Sequence, residues 1–204
     1  MSVRAVFFDV GETLVDEERA WRAVAEAAGV APHALWAALG VTIERGVEHH
    51  AVWELVGKEP PARVAELYAL VPGDLYPDAI PCLRRCREAG LVVGIAGNQP
   101  ASAEAMLREA DVPADIVASS ASWGVAKPDS AFFARIVEET GLRPAEIAYV
   151  GDRVDNDVAP AAAAGMVAVH LRRGPWGLLR DAAGCAALVL DDLSMLPEAL
   201  ASLR

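Results

Sequence analysis

The sequence has few cysteines, no long apolar run and no basic leader at its N-terminus. No apolar stretch approaches the roughly 20 residues that a membrane-spanning helix needs, so we expect no membrane protein. Because no basic region with a long apolar segment opens the chain, we also expect no secretory signal and predict a cytoplasmic protein. The three cysteines, Cys82, Cys86 and Cys185, match no metal or disulfide spacing and indicate thiols in a reducing compartment.

Basic residues are scarce as well, and the net charge is −11. Long-range repulsion would therefore oppose nucleic acid or an anionic membrane surface as the main partner. A small anionic substrate stays compatible, because a local site can be cationic inside an acidic protein. The only lysines are Lys58 and Lys127, and the only asparagines are Asn98 and Asn156. Because the chain otherwise avoids Lys and Asn, the few that remain indicate positions where Arg or Gln could not substitute. Genome composition or adaptation to heat would also deplete a sequence in these two residue types.

The chain length and composition suit a folded protein with one full-sized domain. Its 204 residues allow one proper core with a small insertion, and two ordinary domains are not expected. An apolar content of 54% with 23% charged residues is a normal globular balance and argues against disorder.

Short apolar runs alternate with helical patterns along most of the chain. Such alternation predicts an α/β fold with a parallel sheet covered on both faces. The predicted strands are 5–8, 91–96, 115–118, 147–150 and 166–170. The predicted helices are 80–89, 101–110, one carrying Phe132 and Ile136 and closed by Gly141, 158–164 and 193–203; between 171 and 193 the pattern loosens.

Residues 16–71 differ from the rest because they contain only helical patterns. Trp21, Val24, Ala25 and Ala28 recur at helical spacing, and further apolar sets follow between glycine and proline breaks. We therefore predict a core made of residues 1–15 and 72–204, with residues 16–71 inserted as a small helical unit.

Three polar residues directly follow predicted strands, namely Asp9, Asn98 and Asp152. Asp9 alone would equally well cap a turn. Because the carboxyl ends of parallel strands meet at one edge of the sheet, however, the three residues are expected to converge there.

The segment GDRVDND places three carboxylates, Asp152, Asp155 and Asp157, within six residues. So much negative charge needs a compensating cation, and ligands that are all oxygen favour Mg²⁺. A solvated acidic turn that caps the following helix is the alternative. Lys127 precedes Pro128 and is expected in an extended segment at a helix start, where it would neutralise a phosphate or orient a nucleophile, unless it is an ordinary surface lysine.

Four segments in this order resemble the motifs of the haloacid dehalogenase superfamily: FFDVGETL, VVGIAGNQ, the Lys127 segment GVAKPDSAFF and YVGDRVDNDVAPAAAAGM. The resemblance covers essentially the whole chain. It implies a Rossmann-like three-layer core with a helical cap after the first motif, as in the capped subfamily I. Most members are Mg²⁺-dependent phosphatases that act through an aspartyl-phosphate.

The resemblance also implies roles for individual residues. Asp9 matches the nucleophile and is a metal ligand together with Asp152, while Asp157 is a second acidic position in or near that shell. The backbone carbonyl of Gly11 can serve as a further ligand, because that role needs no side chain.

On the substrate side, the resemblance implies a phosphate held by three positions. Lys127 matches the lysine that stabilises the charge of the phosphoryl group. Gly97 and Asn98 match the second motif, where Asn98 lies beside the phosphate.

Two positions depart from the phosphatase pattern. Gly11 stands where an Asp serves as general acid and base, and Gly97 stands where a Ser or Thr hydroxyl contacts the phosphate. Loss of general acid-base help costs roughly 10²- to 10⁴-fold in rate, least for a substrate with a good leaving group. We hypothesise that Glu12 or a residue of the helical insertion replaces the missing acid.

Three functions remain open from the sequence. The first is a phosphatase of low or specialised activity on a small phosphorylated metabolite. The second is a metal-independent 2-haloacid dehalogenase, which Gly11 favours and the acidic GDRVDND segment opposes. The third is a catalytically weak or inactive binding protein of the same fold. Cleavage of a carbon-phosphorus bond through a cap lysine, Lys58, is a minor variant.

The predicted cap says little about the substrate, and no pattern indicates an oligomeric state. Arg45, His49, His50 and Trp53 cluster near one helix. We interpret them as an exposed polar face with Trp53 in the cap core, and the alternative is that they face the site with Arg45 holding a carboxylate or a second phosphate. Gln99 and Trp123 are expected near the mouth of the site.

Overall fold

The computed structural model describes residues 2–203, and within that range six strands form one parallel sheet. The strands are β1 (Ala5–Phe8), β2 (Val92–Gly97), β3 (Ile116–Ser119), β4 (Ile147–Gly151), β5 (Val167–Leu171) and β6 (Leu188–Leu190). Their order across the sheet is β3-β2-β1-β4-β5-β6, and every neighbouring pair is parallel.

Helices connect the strands and account for most of the remaining regular structure. In chain order they are α1 (Glu18–Ala27), α2 (Pro32–Arg45), α3 (Val52–Val56), α4 (Val64–Leu67), α5 (Ala79–Glu88), α6 (Ala101–Glu109), α7 (Ser120–Trp123), α8 (Ser130–Thr140), α9 (Ala159–Ala163), α10 (Gly174–Leu179) and α11 (Leu196–Ser202). Short 3₁₀ turns occur at His49–Ala51, Pro72–Asp74, Pro144–Glu146 and Leu193–Met195. A π-helical turn, Val154–Val158, joins β4 to α9.

Both faces of the sheet are covered, which confirms the predicted three-layer α/β fold. The fully buried strand β1 alternates its side chains between two apolar clusters. Val6 and Phe8 belong to a cluster that includes residues of α5, α6 and α11. Ala5 and Phe7 belong to a cluster on the other face, built largely from α8, β4 and α9.

The helices α1–α4 bury their apolar side chains mainly against one another. Their shared cluster has Trp21, Leu35, Leu39 and Val52 at its centre, and Trp176 from α10 packs against it. Among the described residues no single helix is long and apolar enough to cross a membrane, whereas α1 and α2, which meet at 111°, reach that length and composition only when taken together. The division into a core and an insertion of residues 16–71 stays a prediction.

The five predicted strands are confirmed to within one or two residues at each end, but the prediction of five is wrong within residues 2–203. The sixth strand, β6, is only three residues long and lies at the sheet edge, with Val189 half exposed. The short helices α7 and α10 were also not predicted. Elements of three to six residues with exposed side chains carry too little periodicity to be recognised.

The strand order reverses direction beside β1, because the chain first builds outward to β3 and then returns to add β4 on the other side. A crevice forms outside the carboxyl ends of the strands at such a switch point. The residues that follow β1, β2 and β4 therefore line one site.

Candidate active site

Asp9 lies at the first position after β1 and is buried, with 8% of its surface exposed. Its backbone N–H donates to the carbonyl oxygen of Val150 (2.9 Å), so the β1–β4 pairing extends to the site. The neighbouring strands therefore fix the backbone that carries this carboxylate.

Lys127 lies between two carboxylates. Its Nζ is 2.6 Å from Asp9 Oδ1 and 2.5 Å from Asp157 Oδ1, and its side chain is fully buried. Burial alone would lower the pKa of Lys127, but the charges of Asp157 and Asp9 outweigh it and hold that pKa well above its ordinary value. Lys127 is therefore an ammonium ion held against Asp9, and the surface-lysine alternative is excluded.

Asp152 and Asp157 complete an acidic cluster with Asp9. Oxygen atoms of the three carboxylates lie within 4.8 Å of one another, and all three residues are buried. Asp152 follows β4 directly, whereas Asp157 points inward from the π-helical turn, where its Oδ2 accepts the N–H of Arg153 (2.9 Å). Three converging carboxylates of this kind suit a hard divalent cation such as Mg²⁺.

Burial and crowding raise the pKa values of two of these carboxylates, Asp152 and Asp157. Burial, together with the charges of Asp157 and Asp9, raises the pKa of Asp152 well above its ordinary value. Burial raises the pKa of Asp157 to about 6, although Lys127 opposes this. One lysine therefore compensates the cluster only in part, and a divalent cation would supply the remaining positive charge.

Asn98 holds the lysine loop rather than pointing its amide at open space. Its Nδ2 donates to the carbonyl oxygen of Lys127, and its Oδ1 accepts the N–H of Lys127, each at 2.8 Å. An amide supplies one donor and one acceptor for this pair of bonds, which a carboxylate cannot do. Asn98 therefore positions the backbone of Lys127.

Gly97 brings the end of β2 against the carboxylate of Asp9. A Cβ atom at this position would lie 2.4 Å from Asp9 Oδ1, far inside van der Waals contact. In this chain the glycine thus makes room for the oxygen that contacts Lys127.

The space beside Gly11 is filled by another residue. A Cβ atom on Gly11 would lie 2.3 Å from Glu17 Oε1 and 3.0 Å from Glu17 Cδ. Tyr68 Oη (2.6 Å) and Trp21 Nε1 (3.3 Å) both donate to the other oxygen, Oε2. Burial raises the pKa of Glu17 to about 7 despite the Tyr68 hydrogen bond, and the nearby charges of Glu12 and Asp9 add to the rise.

Glu12 has a different setting, although it is also buried. Its Oε1 accepts the N–H of Glu17 (3.3 Å) and its Oε2 accepts the hydroxyl of Tyr76 (2.6 Å), so both oxygens have donors. Burial raises its pKa above the ordinary value despite those bonds. Glu12 thus links the turn after β1 to Tyr76 and to the backbone of Glu17, the residue that precedes α1.

Most of these residues line one cavity of about 410 Å³ beside the sheet edge, whereas Gly97 and Asp157 are not among its lining residues. Carboxylates outnumber basic groups on its walls, where the basic side chains among the described residues are Lys127, Arg153 and His49. The remaining walls carry mostly apolar and amide groups, including Gln99, Pro100, Pro128 and Trp176. The site-facing residues Asp9, Gly11, Asn98, Lys127 and Asp152, named from the sequence, all line this cavity.

Other candidates from the sequence lie elsewhere. Asp155 points outward and pairs with Arg153, with 68% of its side chain exposed. Arg45 and Lys58 are exposed and border a separate groove. His50 is exposed and Trp53 packs on the α1–α4 cluster, as the polar-face interpretation has it, but His49 reaches the cavity.

Several cavity residues were not recognised from the sequence. Glu17, Trp21 and Tyr68 come from the helical stretch, and Trp176 follows β5, where its ring lies 5.1 Å from the guanidinium of Arg153. Trp123 was expected at the mouth but packs on Phe132 instead. The sequence carried one signal for Glu17. Gly11 lacks a side chain, so another residue has to fill the space beside it.

The sequence is similar to known proteins of one family. The family profile described as haloacid dehalogenase-like hydrolase matches residues 3–165. A glyceraldehyde 3-phosphate phosphatase of Methanopyrus kandleri is 31% identical over 201 residues, covering 85% of this chain and 86% of that protein.

Solved structures share the fold at lower identity. The L-2-haloacid dehalogenase RSc1362 superposes with a TM-score of 0.76 at 21% identity, over 98% of this chain and 100% of that one. A phosphatase of this superfamily from Thermococcus onnurineus gives a TM-score of 0.68 at 23% identity, over 97% and 98%. Phosphatase and dehalogenase thus have the same fold, so the fold does not choose between them. The profile match and the relative from Methanopyrus kandleri show that this chain is an enzyme of the haloacid dehalogenase-like hydrolase family.

Proposed function

We propose that the protein is a Mg²⁺-dependent phosphomonoester hydrolase that acts through a phosphorylated Asp9. The observation that carries this proposal is the position of Lys127 Nζ, 2.6 Å from Asp9 and 2.5 Å from Asp157, with Asp152 in the same cluster. A nucleophilic carboxylate next to a fixed cation suits attack on a phosphorus atom whose oxygens carry negative charge.

The donor set of the cluster fits a magnesium ion. Asp9, Asp152 and Asp157 offer only oxygen, and the backbone carbonyl of Gly11 is available as a further ligand. When bound, the ion would neutralise charge on the phosphoryl oxygens. Without it, the buried carboxylates would repel an anionic substrate.

The side chains of this chain perform the transfer itself. A carboxylate oxygen of Asp9 attacks phosphorus in line with the ester oxygen, and the bond from phosphorus to that oxygen breaks. Lys127 stabilises the charge of the transferring group, and Asn98 keeps the lysine backbone in place. Water then attacks phosphorus, releases phosphate and frees Asp9.

A small phosphorylated metabolite is the proposed substrate. The cavity of about 410 Å³ suits a small molecule, and the relative in Methanopyrus kandleri is named for glyceraldehyde 3-phosphate. In this proposal residues 16–71 form the cap over a core of residues 1–15 and 72–204. The cap residues that line the cavity, including Trp21, His49 and Tyr68, would contact the leaving group.

The alternative of a metal-independent 2-haloacid dehalogenase has less support. Attack on carbon needs no metal, so buried Asp152 and Asp157 would carry unneeded negative charge beside the nucleophile. The third alternative, a binding protein without catalysis, is decided by the same experiment.

The test compares hydrolysis of p-nitrophenyl phosphate with that of 2-chloropropionate, each with Mg²⁺ and with EDTA. We expect phosphate release that requires Mg²⁺ and falls at least about 10⁴-fold in Asp9→Asn. Asp191→Asn, which changes a carboxylate that is 78% exposed, is the matched control and should keep full activity. Calorimetry should show Mg²⁺ binding to the wild type and weaker binding to Asp152→Asn.

Metal-independent halide release would overturn the proposal in favour of the dehalogenase. Mg²⁺ binding without turnover of either substrate would instead support the binding protein.

A further inference from the structure

The carboxylate of Glu17 occupies the space that a side chain on residue 11 would take. A Cβ built on Gly11 would lie 2.3 Å from Glu17 Oε1, so a side chain on residue 11 and this carboxylate could not both occupy that space. Gly11 is two residues after Asp9, where the phosphatases that this chain resembles carry the acid and base. The chain therefore lacks the usual side chain, and the carboxylate of Glu17 lies against the position from which that side chain would extend.

The hydrogen bonds that the side chain of Glu17 accepts all go to one of its two oxygens. Tyr68 and Trp21 both donate to Oε2, and among residues 2–203 no donor is paired with Oε1. A proton on this carboxyl would therefore sit on Oε1, because Oε2 already accepts two bonds. Glu17 lines the same cavity as Asp9 and Lys127, and its Oε1 is the oxygen that lies against Gly11.

Glu12, the other buried glutamate near Gly11, lacks such a free oxygen. Its two oxygens accept bonds from Glu17 N and Tyr76 Oη. The side chain also lies against Gly174, where a Cβ would be 2.6 Å from both Glu12 Cγ and Oε2. Glu12 therefore has a structural role. Of the two candidates for the missing acid, Glu12 and a residue of the helical insertion, the structure favours the second, Glu17.

We propose that Glu17 is the general acid and base of this enzyme, acting from the start of the helical segment in place of the side chain absent at Gly11. The inference rests on the proposed phosphatase function. Tyr68 and Trp21 are positioning residues for this proton transfer, because both donate to Oε2 and so orient the carboxyl.

The proton transfers balance over the two half-reactions. As Asp9 attacks phosphorus, the bond to the ester oxygen breaks, its electron pair goes to that oxygen, and Glu17 gives it the proton from Oε1. In the second half-reaction the Glu17 carboxylate takes a proton from water as the water oxygen bonds to phosphorus. The bond from phosphorus to Asp9 breaks, and its electron pair returns to the Asp9 carboxylate.

The leaving group provides a test that a structural role would not pass. p-Nitrophenolate leaves without a proton, whereas an alkoxide such as that of glycerol 2-phosphate needs one. For Glu17→Gln with Mg²⁺ we expect kcat/KM to fall roughly 10²- to 10⁴-fold on glycerol 2-phosphate and less than about tenfold on p-nitrophenyl phosphate. Glu26→Gln, an exposed glutamate on α1, is the matched control and should keep both values.

The second half-reaction has its own readout. Because Glu17→Gln lacks the base that activates water, it should release a burst of p-nitrophenolate equal to the enzyme concentration and then turn over slowly. Equal losses of kcat/KM on both substrates, with no burst, would reject the role of Glu17. Wild-type turnover and its loss in Asp9→Asn test the proposed function separately.

Moving the carboxylate back to residue 11 provides a gain-of-function test. Gly11→Asp alone should be nearly inactive, because its Cβ overlaps with Glu17. In the double variant Gly11→Asp with Glu17→Ala the space is free, and we expect it to recover at least tenfold of the glycerol 2-phosphate activity lost in Glu17→Ala. If the double variant is folded by circular dichroism and recovers none of that activity, the equivalence of the two positions is wrong.

Discussion

The two halves of the proposed active site are built in different ways. The half at the sheet edge consists of Asp9, Lys127 and Asp157, where the ammonium group of Lys127 contacts the two carboxylates at 2.6 and 2.5 Å. The half on the helical side holds one carboxylate, Glu17, through the neutral donors Tyr68 and Trp21. Direct ion contacts keep Lys127 charged, whereas burial, against the hydrogen bonds from Tyr68 and Trp21, raises the pKa of Glu17 to about 7. The first arrangement suits phosphoryl transfer, and the second suits proton transfer.

Lys127→Met breaks the sheet-edge half and should have the largest effect. The variant leaves Asp9 and Asp157 buried without their cation, which costs about 3–5 kcal/mol in unfolding free energy. Urea unfolding in EDTA measures this loss, and Mg²⁺ should restore part of it. Lys58→Met, at the only other lysine of the chain, is exposed and should change stability by less than about 0.5 kcal/mol. Similar stabilities of the two variants would show that Lys127 does not hold the cluster together.

On the helical side, the protonation of Glu17 should make the stability of the protein depend on pH. The pKa of Glu17 is about 7 in the folded protein against 4.5 when unperturbed, so the folded state binds the proton more tightly. The tighter binding of this proton adds to the free energy of unfolding in full below pH 4.5, and the contribution is lost as the pH rises through 7. Burial of the ionised group then costs up to about 3 kcal/mol at pH 8, at about 1.4 kcal/mol for each pKa unit.

Glu17→Gln should therefore gain stability relative to the wild type as the pH rises from 4.5 to 8 in EDTA. Chemical unfolding at several pH values measures the difference, and the subtraction removes the titration of the other acids. A difference that stays constant over this pH range would mean that Glu17 is ionised throughout.

Gly97→Ala probes how closely the sheet-edge half is packed. The added methyl group would overlap with Asp9 Oδ1 and push it away from Lys127, and a displacement of about 1 Å costs roughly 10²-fold in rate. Gly73→Ala is the matched control, because nothing lies within 4 Å of its Cβ. Steady-state kinetics with p-nitrophenyl phosphate measures both variants. Full activity of Gly97→Ala would show that Asp9 works in another orientation.

The contrast between the two halves also explains which site residues could be predicted from the sequence. Asp9, Asn98 and Asp152 each follow an apolar strand, and parallel strands bring such positions together by geometry alone. Glu17 and Tyr68 meet only because four helices fold over some 50 intervening residues, which no local pattern reveals. Near the sheet, the spacing of the residues did not tell Asp155 from Asp157, and only the family resemblance chose Asp157. In the structure the π-helical turn points Asp157 inward and leaves Asp155 exposed.

The most direct measurement of the central claim is rapid-quench mass spectrometry of Glu17→Gln mixed with p-nitrophenyl phosphate and Mg²⁺. The account predicts that one phosphoryl group accumulates on the peptide containing Asp9, nearly equal to the enzyme concentration, and that Asp9→Asn shows none. Phosphorylation of another residue, or turnover without any phosphorylated enzyme, would contradict it.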